Sequence, residues 1–221
     1  GLKILAAALL LRVSWALLAH MFWGYRDDGY YDDGVFLAAA RGLLGRGLDV
    51  ITHPPGYPFF LAPFLAFGDW GVSLARWTQM FLSAYTAVLT YRFAVSLRLG
   101  RPAALVAAAF VAVHPMLVFF SVRMMSETLF LVLVGCFFLI WLKAWRTGAL
   151  RDAALAGFLG GLSALTRPVM LPFAGVLALV ALWRRREQPR WVALVAVCGM
   201  AWAATLADAV TASKEAKKAR T

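Results

Sequence analysis

Residues 25–36, YRDDGYYDDGVF, set four carboxylates, Asp27, Asp28, Asp32 and Asp33, within seven positions. Helix capping explains one or two of them. An aspartate ahead of a helix accepts from the free N–H groups of the first turn, and its charge suits the positive helix end. The DDG pairs are also ordinary turn chemistry. Four together repel one another, which a purely structural loop has no reason to accept. Carboxylates placed this way can take a proton from an attacking group or hold a cation.

Three further stretches offer the complementary charge. His53 opens HPPGYP, a rigid Pro-rich turn in which an imidazole N–H can be donated to an anion; a plain loop histidine is the other reading. In VRMMSETLF, Glu127 begins an apolar run behind Ser126, which can cap it, and Arg123 either snorkels to the surface or meets an anion. In GGLSALTRP, Arg167 sits between two apolar runs, where an ionisable side chain is functional by default and an anion is its usual partner. Arg12, Arg92, His20 and Asp208 also fall within or near apolar runs. Their positions near run ends allow snorkelling, so they read as structural.

The elements that must carry these groups are greasy. The chain has 221 residues, 62% of them hydrophobic, against about half in a soluble domain. A chain this short cannot bury that many apolar helices on all sides in water. Seven apolar segments, over 3–24, 71–97, 102–121, 125–145, 150–166, 168–184 and 190–210, are near membrane-spanning length, the fifth and sixth being short. The expected fold is therefore all-α, a polytopic transmembrane bundle of about seven helices. Two juxtamembrane helices are expected in the long loop 25–70, one over 33–44 and one after the prolines of HPPGYPFFLAPFLAFG. The module spans 1–210, and the basic tail 211–221 reads as flexible or non-native.

Charge fixes the orientation. Lys3, Arg98, Arg101, Lys143, Arg146, Arg151, Arg184, Arg185, Arg186 and Arg190 gather in the loops of one side, which is cytoplasmic. The acidic loop, the turn at Arg123–Glu127 and the Arg167–Pro168 turn then share the periplasmic or exterior side. Since the arginines serve topology, the net charge of +11 does not point to nucleic acid. Cys136 and Cys198 lie inside apolar runs and read as small buried hydrophobes, without metal-ligand spacing.

At these residues the chain resembles the GT-C superfamily of polytopic glycosyltransferases, in particular the protein O-mannosyltransferase and aminoarabinose-transferase branch. The resemblance rests on DDGVFLAAARGLLGRG, HPPGYPFFLAPFLAFG, SLARWTQMFLSAYTAVLTYRFAVSLRLGRPAALVAA, HPMLVFFSVRMMSETLF and LAGFLGGLSALTRP, which follow one another over most of 25–168. It casts the chain as the N-terminal transmembrane module of such an enzyme, in a bacterial inner membrane with the site facing outward.

The resemblance implies a polyprenyl-phosphate-linked sugar as donor and a glycan, lipid or protein as acceptor. It places the catalytic acid at Asp32, with Asp33 beside it and Asp27 and Asp28 as second choices. The donor phosphate falls to His53, Arg123 and Arg167, supported by Glu127 and Tyr57. No cofactor is required, although a divalent cation, magnesium or manganese, would find ligands in Asp32 and Glu127. The competing reading is a non-catalytic protein that binds or translocates a lipid-phosphate-linked sugar and needs no base.

Overall fold

The computed structural model describes residues 1–23, 33–45 and 54–185. All the elements among them are helices: α1 (Leu2–Trp23), α2 (Asp33–Gly45), α3 (Gly56–Leu65), α4 (Asp69–Ser96), α5 (Arg101–Val113), α6 (Pro115–Val122), α7 (Ser126–Thr147), α8 (Leu150–Thr166) and α9 (Met170–Arg185). Both helices expected in the first long loop are present, as α2 and α3. Six of the seven apolar segments hold helices, and the seventh, 190–210, lies outside the described residues.

Two of the described helices, α1 over Leu2–Met21 and α7, are long and apolar enough to cross a membrane; α5 and α6, bent by 51° at their junction, make a third if they form one span. The other helices miss that standard for visible reasons. Helix α4 is 28 residues long but carries Arg76, Gln79 and Arg92 within its apolar run. Helices α8 and α9 have 17 and 16 residues, a little short of the ~20 needed to traverse the hydrocarbon layer.

The described chain divides into two compact units. The first holds Gly1–His53 and Tyr57–Val132. Here α4 is the central post, packed by α5, α1 and α6. Close approach of α1 to α4 is possible because the meeting side chains are small: Ala8 against Ala84 and Ala87, with Ile4, Leu5, Leu9 and Val111 around them. At the other end of α4, the short helices fold together. Phe36, Leu37 and Ala40 of α2 meet Tyr57, Leu61 and Ala62 of α3, Ala75 of α4 and Met124 in one apolar cluster. The α3–α4 connection is tight, with Gly68 at φ 65° and Gly71 N–H donating to Gly68 O at 2.9 Å.

The span predicted as continuous over 102–121 is broken. His114 ends α5 with φ −59° and ψ 119°, and Pro115 starts α6 in its first turn. Proline disfavours helical geometry in the residue before it and has no N–H to return to the preceding turn.

The second unit holds Pro54–Gly56 and Leu133–Thr221. Its turn between α7 and α8 passes through Gly148 at φ 71° and is tied by an ion pair, Lys143 Nζ to Asp152 Oδ1 at 2.8 Å. Helix α8 buries a stripe of small residues, Ala153, Ala156, Gly157, Gly160, Gly161 and Ala164. It ends at Arg167, and the Arg167–Pro168 turn leads into α9. Phe138 and Phe173 make an edge-to-face ring contact between α7 and α9 at 5.5 Å.

Candidate functional site

The residues with chemistry fall in three places. Asp28, Asp32 and His53, with Asp27, lie outside the described residues, so neither the acidic knot nor the Asp32–Glu127 cation pair has a described geometry. Asp33 is the first residue of α2. Among the described residues no three His, Cys, Asp or Glu side chains cluster as metal ligands.

The best-built part of the site is the turn between α6 and α7. Arg123 leaves α6 in extended geometry, φ −93° and ψ 143°, and Met125 N–H donates back to Arg123 O at 2.8 Å. The Arg123 guanidinium lies over the Phe119 ring, 5.8 Å from its centroid, and stays half-exposed. Four residues on, Glu127 occupies the first turn of α7. Ser126, expected ahead of that helix as its cap, is its first residue and is buried.

What fixes this turn is a side chain the sequence reading did not single out. Gln79, 1% exposed in the middle of α4, donates from Nε2 to Phe120 O at 2.9 Å and to Arg123 O. Its Oε1 accepts from the Tyr57 hydroxyl at 2.5 Å. Thr128 Oγ1 donates to the same Phe120 carbonyl at 3.3 Å. The last turn of a helix leaves carbonyls without intrahelical partners, and a buried amide supplies the donors they lack.

Tyr57 itself is fully buried. Its ring meets Phe36 edge-on at 5.0 Å and stacks on Phe60 at 5.9 Å, and its hydroxyl also reaches Met124 Sδ at 3.7 Å. It therefore acts on Arg123 through Gln79. The available signal was polarity: an amide three residues after Arg76 in SLARWTQMFL, inside a largely apolar helix.

Arg167 belongs to the second unit. It caps α8 in extended geometry, φ −147° and ψ 118°, with its N–H on Ser163 O at 2.8 Å and its carbonyl accepting from Met170 N–H at 3.2 Å. The side chain is half-buried. The strand of chain before α3 is held close in this unit as well. A Cβ on Gly56 would stand 2.8 Å from the Leu165 carbonyl carbon and from the Thr166 nitrogen and Oγ1.

Arg12 is a correction to the sequence reading. It does not snorkel: it is fully buried at the middle of α1, bonded to Ser83, Ala8 and Ala112. Snorkelling needs a helix end within reach of the ~6 Å side chain, and Arg12 is more than two turns from either end of α1.

Residues 52–207, well over half of the chain, match the dolichyl-phosphate-mannose-protein mannosyltransferase family. The chain belongs to that family. Membership makes it a membrane glycosyltransferase of the mannosyltransferase type, in keeping with its apolar helices. The matched region takes in His53, the Tyr57–Gln79 pair, the Arg123 turn and Arg167, whereas the acidic knot precedes it. No curated protein matches the chain at a significant level.

Proposed function

We propose that the chain transfers a sugar from a polyprenyl-phosphate donor to a hydroxyl acceptor on the periplasmic or exterior face of a bacterial inner membrane, as a module of about seven transmembrane helices. The observation that carries this reading is the family match, which spans the turns bearing both proposed phosphate-binding arginines. The Gln79 clamp supports it, because it fixes the backbone from which Arg123 projects.

In the proposed reaction the acceptor oxygen attacks the anomeric carbon as the bond from that carbon to the phosphate oxygen breaks. The leaving phosphate keeps the electron pair. Asp32, or Asp33 beside it, takes the acceptor proton. Direct displacement inverts the anomeric configuration. Cationic groups fixed where the anion develops contribute more than the base in such steps, and His53, Arg123 and Arg167 take that role. A bound magnesium or manganese ion on Asp32 and Glu127 would neutralise phosphate charge; no step above depends on it.

The test is sugar transfer from radiolabelled polyprenyl-phosphate sugars in membranes containing the protein. Asn caps a helix about as well as Asp but cannot accept the proton. Loss of a general base typically costs about 10²–10⁴ in rate, so Asp32→Asn should fall by that factor and Asp27→Asn far less. Normal transfer in both Asp32→Asn and Asp33→Asn refutes the base assignment. Lipid-phosphate binding without transfer by the wild type would favour a carrier.

A further inference from the structure

We propose that Arg12 is the clamp that fixes the bend between α5 and α6, and through it the turn carrying Arg123. This does not depend on the reaction assigned above. Near the middle of α1 a fully buried guanidinium makes three hydrogen bonds among the described residues, all to neutral oxygens. Nε donates to Ser83 Oγ at 2.8 Å, and Nη1 to Ala8 O at 3.0 Å and Ala112 O at 3.2 Å. Nη2 has no hydrogen-bond partner among the described residues. A charge compensated this incompletely is a poor device for adding stability. Its placement is explained by what it holds.

The break at His114–Pro115 leaves the last carbonyls of α5 without helix donors, at the negative end of that helix. Arg12 brings a positive charge and an N–H to one of those carbonyls, Ala112 O. The Ser83 hydroxyl, which accepts from Arg12, donates in turn to Leu117 O on the far side of the break at 3.3 Å. One guanidinium–hydroxyl pair thus grips both half-helices, before and after the bend. At its other end α6 is held by Gln79 at Phe120 and Arg123. A helix of eight residues gripped at both ends has no freedom to rotate. If the first grip is lost, α6 can swing about the break at Pro115, and the turn at 123–126 moves with it.

The experiment follows alkylation of Met125→Cys in the full chain in detergent, read by peptide mass spectrometry, with Ala144→Cys in the second unit as the reporter of general loosening. Arg12→Met keeps an apolar side chain of similar length. It should raise labelling at position 125 by about tenfold or more, the usual effect of losing hydrogen bonds to a charged group. Ser83→Ala keeps the charge and cuts the link to Leu117, and should raise it about fivefold. Position 144 stays protected in both. If Arg12→Met does not fold, Ser83→Ala decides. A wild-type rate at position 125 in a folded variant overturns the proposal, and so does an equal rise at position 144. Transfer by the unmodified chain tests the reaction separately, so failure of one reading leaves the other standing.

Discussion

At the scale of single residues, the polar groups that organise this protein are those with the fewest alternatives. In water Gln79 would be an indifferent helix residue. Buried in α4, it is the donor for two carbonyls and the acceptor for Tyr57. Gln79→Leu therefore removes more than one net hydrogen bond. It takes the main acceptor from the Tyr57 hydroxyl, which keeps only the weak acceptor Met124 Sδ, whereas the Phe120 carbonyl keeps Thr128 and the Arg123 carbonyl keeps Met125 N–H. At roughly 1–3 kcal/mol for a buried group left without its main partner, a loss of about 1–3 kcal/mol is expected in a denaturant titration in detergent. Tyr57→Phe alone should cost about 1 kcal/mol. In the Gln79→Leu background the same change should cost nothing further, because its partner is already gone. Additive losses would mean that the two side chains act separately. The sequence displayed the charged residues more openly than these. Arg123 and Arg167 were visible as cations out of place in apolar runs. Arg12 read as a snorkelling residue and Gln79 was not singled out, since only the fold reveals that each faces carbonyls from another part of the chain.

At the scale of elements, apolar periodicity located the helices and proline decided how they are joined. The juxtamembrane pair was legible because DDG and HPPG mark its starts and an apolar stripe follows each. The break at His114–Pro115 was equally spelled out, yet a hydropathy reading runs through it, since both half-helices are apolar and hydropathy carries no backbone geometry. Glycines set the close joints. A Cβ on Gly71 would lie 2.3 Å from Phe64 O and 3.0 Å from Leu65 Cα, both backbone atoms that cannot swing aside. Gly71→Ala must push α3 away from the start of α4, and overpacking of this kind typically costs about 1–3 kcal/mol. Gly175, in α9, has nothing within 4 Å of its would-be Cβ. Gly175→Ala should be neutral or gain up to about 1 kcal/mol from helix propensity. Melting temperatures of the two variants check the contrast. Equal effects would show that α3 does not rest on α4 as described.

At the scale of the whole molecule, the proposed donor depends on which side of the membrane the site turns face. The side chains left on the two kinds of loop differ in charge. In the first unit Arg98 and Arg101 flank the α4–α5 turn; in the second Lys143, Arg146 and Arg151 flank the α7–α8 turn, where one of them is partly neutralised by Asp152. Glu127 and the start of α2 sit at the opposite ends of their helices. Lysine and arginine in short loops are retained in the cytoplasm, and the proposed orientation accordingly has these basic turns inside and the Arg123 turn outside. Polyprenyl-phosphate sugars are the donors available on the outer face, whereas nucleotide sugars are cytoplasmic, and the proposed chemistry requires the former. Arg41 and Arg151 are both exposed, on α2 and at the start of α8. In intact cells a membrane-impermeant maleimide should label Arg41→Cys and spare Arg151→Cys, and permeabilised cells should label both. The opposite pattern in intact cells would put the arginine turns among nucleotide sugars, and the lipid-phosphate donor would have to be given up while the helical fold and the Gln79 clamp stood unchanged.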